Sequence, residues 1–191
     1  MKVLLLNGPP KSGKDTIGGM LKEHIPGSET FKFSDELKRM THRAFGFPDE
    51  PDAFEAIKDD LDQGPEAGVS WRQAYIAMSE KFCKPLLGAG YFGKLLHYKL
   101  RSQDKVSLAV VTDSGFREEA KVLKEQGHDL FLLRIYRNGC TFVGDSRRYW
   151  NADLIVTDCA DIYNYGTLED LSAKVATFAA LPSFRAWLGG A

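Results

Sequence analysis

The sequence predicts an α/β domain in three layers, with a parallel sheet between two sets of helices. Three observations predict it. Apolar runs of strand length recur along the chain, segments with apolar residues at helical spacing separate them, and a G-x-x-x-x-G-K turn joins the first run to the first helix. Val106 to Thr112 and Leu130 to Ile135 are nearly continuous apolar runs, as strands covered on both faces require.

In chain order, Val3 to Leu6 forms the first strand, and Ile17, Met20 and Leu21 share a face of the first helix before Pro26-Gly27 turns the chain. Gly18 and Gly19 are poor helix formers whose presence suggests close packing on the sheet. Thr30 to Phe33 reads as the second strand, followed by Ser34-Asp35 as a helix N-cap and by Leu37, Met40, Ala44 and Phe45 on one face. Residues 49 to 68 are acidic and poorly patterned, and read as a solvated helix with a mobile loop or, alternatively, as a substrate cover. Ser70 caps a longer helix whose face is Trp71, Tyr75, Met78 and Phe82 and which Pro85 bounds, with Arg72 one step off that face. Tyr91 to Leu100 is helical, with Leu95, Leu96 and Tyr98 in apolar contact. Phe116 to Gln126 is helical after the third strand, Asp153 to Thr157 is the last strand, and Thr167 with Asp170 forms a capping box for the final helix. Five strands result.

Length and composition narrow the class. At 191 residues the chain fits one domain, 1–191, with a substantial core. With 43% hydrophobic and 27% charged residues and a net charge of -1, the composition is that of a soluble globular protein with no global attraction for nucleic acid or anionic membranes, so any anion site is local. Cys83, Cys140 and Cys159 are scattered and contain no C-x-x-C pair, which argues for reduced packing thiols and against zinc. No apolar run approaches the ~20 residues of a membrane span. A cytoplasmic location is expected. The oligomeric state is open, a homodimer included.

The chemistry centres on the loop Gly8-Pro-Pro-Lys11-Ser12-Gly13-Lys14-Asp15-Thr16. A glycine-bounded loop between strand and helix turns its amides toward phosphates, its lysine reaches the outer ones, and the helix directs its positive end at them. Asp15 stands where Ser or Thr commonly ligates magnesium. In an open parallel sheet, ligands gather at the carboxyl ends of the strands. Three strand ends there carry chemistry: Ser34-Asp35, then Asp113 after Leu-Ala-Val-Val-Thr, a position suited to holding magnesium or capping the next helix, then the group Arg134, Arg137, Arg147 and Arg148. Four arginines in fifteen residues among Gly139 and Gly144 suit a lid over phosphates. Position 116, where a GTPase D-x-x-G would place its glycine, is Phe116, and no N-K-x-D occurs. His24, His42, His97 and His128 form no i,i+4 pair, and the lack of a general-base candidate favours an acceptor that is already ionised.

These motifs resemble those of the deoxynucleoside monophosphate kinases typical of bacteriophages, within the adenylate-kinase-like group of P-loop kinases. The resemblance lies in G-K-D-T at Gly13 to Thr16, F-S-D-E-L-K at Phe33 to Lys38, W-R-Q-A at Trp71 to Ala74, and K-P-L-L-G with Y-F-G between Lys84 and Gly93. It continues in T-D-S-G-F-R-E-E at Thr112 to Glu119, R-N-G-C-T-F-V-G-D-S-R at Arg137 to Arg147, and G-T-L-E-D-L at Gly166 to Leu171. G-K-D also occurs in the animal type of phosphomevalonate kinase. The resemblance implies a three-layer P-loop kinase fold with a five-stranded parallel sheet in the order 2-3-1-4-5, an acceptor-binding helical region at about 34–100 and a lid at about 137–150. It implies transfer of the ATP γ-phosphate to a (deoxy)nucleoside monophosphate, with Mg2+ as cofactor. Gly8, Lys11, Ser12, Gly13, Lys14, Asp15 and Thr16 would bind ATP. Asp15 and Asp113 would organise the metal, and Ser34, Asp35, Lys38, Arg72 and Arg117 would bind the acceptor. Lys14, Arg72, Asp113, Arg137 and Arg147 would serve the transfer itself. Many relatives carry Arg before the Phe of the Asp113 motif. Here that position is Gly115, and Arg117 is the candidate to take its place. The location implied is the cytoplasm, of a host cell if the chain is phage-encoded. The competing readings are a kinase of another small phosphorylated acceptor, such as phosphomevalonate, and a non-catalytic nucleotide-binding switch.

Overall fold

The computed structural model describes residues 1–189. Five parallel strands, β1 (Lys2–Asn7), β2 (Ser28–Phe31), β3 (Leu108–Ser114), β4 (Asp129–Tyr136) and β5 (Asp158–Tyr163), form one sheet in the order β2-β3-β1-β4-β5. Side chains alternate across a strand, and the sheet sorts them accordingly. Leu4, Leu6, Val110, Phe131 and Leu133 face the layer made by α1 (Lys14–His24), α7 (Leu168–Ala179) and α8 (Pro182–Leu188). Val3, Leu5, Ala109, Val111, Leu130 and Leu132 face the other layer. That layer contains α2 (Ser34–Ala44), α3 (Trp71–Ala77), α4 (Lys84–Leu87), α5 (Tyr91–Arg101) and α6 (Arg117–Glu125). Both faces of the central strands are therefore buried, which explains their continuous apolar character. Among the described residues, no helix is long and apolar enough to cross a membrane.

Several elements differ from the sequence expectation. The last strand is not Asp153 to Thr157 but β5, five residues later. Ile155 and Val156 are buried against the α2–α6 layer, whereas Leu154 is 98% exposed, so this apolar run is a buried turn rather than a strand. Among the described residues β5 pairs with β4 alone, and an edge strand tolerates polar residues such as Asp158 and Asp161. β2 begins at Ser28 and ends before Phe33.

Pro85 does not bound the helix that Ser70 caps. Residues Met78–Cys83 wind as a π-helical turn after α3, the proline lies in the first turn of α4, and the chain stops at Gly88. A proline is tolerated in a first turn, where its missing N–H is not needed. The wider π turn also shifts the buried face from Phe82, 54% exposed, to the fully buried Cys83. Tyr98 is exposed rather than in apolar contact. The capping boxes at Ser70 with Gln73 and at Thr167 with Asp170 both form.

Gly18 lies against the sheet, where a Cβ would come within 2.7 Å of Thr112 Cγ2, whereas Gly19 faces open space. Close packing accounts for the first glycine only.

Candidate functional site

The loop between β1 and α1 sits at the carboxyl edge of the sheet. Gly13 opens α1 in a left-handed conformation, φ 100°, which favours glycine, and Lys11 also has positive φ, 64°. Lys14 is 9% exposed, and its ammonium donates to the carbonyls of Gly8 at 2.8 Å and Pro9 at 2.7 Å. Burial, with the Arg147 charge second, lowers its pKa from 10.5 to about 8. The cation is thus held inside the loop at an electrostatic cost that a polyanion would remove. Ser12 Oγ and Ser114 Oγ, both buried at this edge, have no hydrogen-bond partner among the described residues. Thr16 is exposed on the first turn of α1.

Two aspartates flank the loop and do different work. Asp15 accepts from Thr112 Oγ1 at 2.7 Å and pairs with Lys32 at 3.0 Å. Burial raises its pKa, but the Thr112 hydroxyl and the Lys32 charge outweigh it, so the carboxylate lies below its ordinary range. Its side chain remains 71% exposed. Asp113 accepts from the Phe33 N–H at 2.8 Å and the Ser34 N–H at 3.0 Å. It therefore caps α2 from the neighbouring strand, replacing the expected Ser34-Asp35 cap and the alternative of capping the following helix. Among the described residues no group of three or more His, Cys, Asp or Glu side chains could hold a metal, so a magnesium ion here would take phosphate and water oxygens besides the exposed Asp15 carboxylate, with Asp113 as the other candidate.

Several of the other predicted cations rest on protein partners. The Arg137 guanidinium donates to the Lys11 carbonyl at 3.0 Å, which brings it directly over the loop. Arg147 makes a two-point pair with Asp145, Nε to Oδ1 at 2.9 Å and Nη2 to Oδ2 at 2.6 Å. Arg72 makes a two-point pair with Asp59, Nη2 to Oδ2 at 3.1 Å, while its backbone N–H donates to Lys58. Lys38 pairs with Glu55 at 2.7 Å and Asp35 with Lys99 at 2.9 Å. The acidic stretch is thus not merely solvated, since Glu55 and Asp59 hold Lys38 and Arg72. Arg117 pairs with Asp153 on the surface, and Arg134 with Asp161 on the sheet edge. Neither is brought to the loop by these pairings.

Several residues here gave no distinct signal in the sequence. The fully buried Asn7, at the end of β1, donates to the carbonyls of Ser114 at 2.9 Å and Arg148 at 3.1 Å and accepts from the Trp150 N–H. With Tyr149 Oη bonded to the Ile135 carbonyl at 2.7 Å, residues 148–150 are fastened to the sheet. Asn164, after β5, donates to the Ser12 carbonyl at 3.0 Å and fixes the loop from its other side. Glu119 is 3% exposed. Burial first, then the charge of Asp113, raises its pKa well above its ordinary value.

No family model matches the chain, and no curated protein matches it. Among solved structures it is similar to the tunicamycin resistance protein of Deinococcus radiodurans, with 17% identity and a TM-score of 0.46 over 94% of this chain and 96% of that one. It is also similar to a shikimate kinase from Acinetobacter baumannii, with 15% identity and a TM-score of 0.46 over 94% and 93% of the two chains. A sugar kinase from a Janibacter species shows 14% identity and a TM-score of 0.40 over 95% and 96%. Likeness of this degree concerns the course of the chain, and the functional reading rests on the side chains.

Proposed function

We propose that this chain transfers the γ-phosphate of ATP to a deoxynucleoside monophosphate, giving a deoxynucleoside diphosphate and ADP. The observation that carries the proposal is the buried Lys14 ammonium inside the Gly8–Gly13 loop, with Arg147 close enough to depress its pKa and Arg137 reaching over Lys11. Cations held this close need a dense anion between them, and two phosphate chains meeting supply one.

On this reading Lys14 exchanges its loop carbonyls for the outer phosphate oxygens of ATP. Arg72 leaves Asp59 to grip the acceptor phosphate, and Arg137 and Arg147 draw charge off the group in flight. Asp15, backed by Asp113, would hold magnesium, which shields the phosphates. Ser34, Asp35 and Lys38, in the first part of α2, would contact the acceptor. No strong base is required, because a phosphate acceptor is already ionised near neutral pH. His42, on α2, is buried and hydrogen-bonded with Tyr75 Oη at 2.7 Å, as a packing residue would be.

The test is a coupled ADP-release assay across the four common deoxynucleoside monophosphates, with phosphomevalonate as a control. Turnover with at least one nucleotide, and none with phosphomevalonate, supports the proposal. Turnover with phosphomevalonate alone, or with no acceptor, overturns it.

A further inference from the structure

We propose that Gly115 is a positioning residue whose missing side chain forms the seat of Arg147, and that Asn7 clamps the two walls of that seat together. The role given to Arg147 rests on the kinase reading above, whereas the seat itself rests on geometry alone. A Cβ at Gly115 would lie 2.5 Å from Arg147 Cγ and Cδ and 2.7 Å from its Cβ. These atoms belong to the base and middle of the arginine stem, so a flexible tip cannot swing away to relieve the clash. Gly115 is not among the positive-φ glycines, so its backbone does not require glycine. Space for Arg147 is what it provides.

The arginine has little freedom to retreat. Its own N–H donates to Asp145 Oδ1 at 2.9 Å, and the next residue is tied through its carbonyl to Asn7. The same Asn7 amide holds the Ser114 carbonyl, one residue before the glycine. One buried side chain thus fixes both the strand end that carries Gly115 and the loop that carries Arg147. Asp145 takes Nε and Nη2, which leaves Nη1 without a protein hydrogen bond among the described residues. A planar guanidinium gripped on one edge presents the other in a fixed direction. A side chain at position 115 would turn that edge away.

The test is a double-mutant cycle of Gly115→Ala and Arg147→Ala, followed by turnover and by thermal unfolding. The expected result is that Arg147→Ala lowers kcat about 10²-fold, in the range for loss of one transition-state donor. Gly115→Ala should lower kcat about tenfold or more with the ATP KM nearly unchanged, and the double variant should match Arg147→Ala alone, because both changes act through one group. In unfolding, Gly115→Ala should lower Tm, and adding Arg147→Ala should restore part of it, because it removes the Cγ and Cδ contacts and leaves only the one with Cβ. That arm still decides the matter if Gly115→Ala folds poorly. Independent effects on kcat, or a Tm loss that Arg147→Ala does not relieve, overturn the proposal. If the wild-type chain turns over no nucleotide, the kinase reading fails by itself. The Tm cycle, with calorimetric titration of inorganic tripolyphosphate in place of turnover, then tests the seat: weakened binding in both single variants, without further loss in the double, supports it, and unchanged binding overturns it.

Discussion

The two edges of the sheet treat charge in opposite ways. At the amino edge, Lys2 pairs with Asp129 at 2.7 Å, Thr157 Oγ1 donates to the same carboxylate at 2.5 Å, and His97 and His128 form a buried hydrogen-bonded pair at 2.9 Å. Burial, then nearby positive charge, lowers the His128 pKa to about 4, so that edge is built from matched ions and neutral rings. At the carboxyl edge, Lys14 donates to carbonyls, its charge is disfavoured by burial and by Arg147, and the arginines rest on aspartates within the chain. The amino edge has its ionic partners in the fold. The carboxyl edge buries Lys14 on carbonyls alone, an ammonium that, on the proposed function, a polyanion from outside would neutralise.

Lys14→Ala should break this contrast most severely. Turnover should fall about 10²–10³-fold, as expected for loss of a central phosphate donor, while Tm stays level or rises because a buried charge is removed. Steady-state kinetics and calorimetric unfolding on the same preparation check both halves. A large fall in Tm would assign Lys14 to the fold instead.

Arg72→Ala should come next, lowering acceptor kcat/KM about 10²-fold while the ATP KM moves little. If the effect fell on ATP alone, the acceptor role would be wrong.

The pH dependence of stability separates the edges without any substrate. Unfolded His128 titrates near 6.5 and folded His128 near 4, so between those values the unfolded chain holds a proton that the folded chain lacks. Stability from this group therefore falls as pH drops from 6.5 toward 4. Lys14 has the same sign in a higher window. Between about 8 and 10.5 the unfolded lysine is protonated more than the folded one, so its contribution to stability rises with pH. ATP should erase the upper window and leave the lower one unchanged. It should also bind at pH 8 with uptake of up to about half a proton, read by titration calorimetry in two buffers of different ionisation enthalpy.

The smallest expected effect belongs to Asp59→Asn. Removing the carboxylate that occupies the Arg72 fork should lower the acceptor KM about two- to threefold, the scale of an exposed ion pair. A raised KM would mean that Asp59 holds Arg72 in place instead of competing with the acceptor.

Legibility in the sequence followed the physics of each element. β1, β3 and β4 are central strands, so burial on both faces wrote them as apolar runs, and the loop before α1 carries its own spacing. β5, at the edge, needs no such pattern, and the apolar Leu154-Ile155-Val156 beside it is a turn that drew the strand assignment away. The π turn was hidden because Trp71, Tyr75, Met78 and Phe82 fit an ordinary helical face until one wider turn rotates Phe82 outward. Asn7 and Asn164 act through long-range backbone contacts, 107 and 152 residues away along the chain, which no local pattern encodes. Gly115 was visible as a departure from the resembled motif, but only the fold brings Arg147 against it.

On the proposed function, the cations of the carboxyl edge serve transfer between two phosphates. The most direct measurement of that transfer is a single turnover of ATP labelled in the γ-phosphate with each deoxynucleoside monophosphate in turn, followed by separation of the products. Label is expected in the β-position of at least one deoxynucleoside diphosphate. Label only in inorganic phosphate, or none released from ATP, would contradict it.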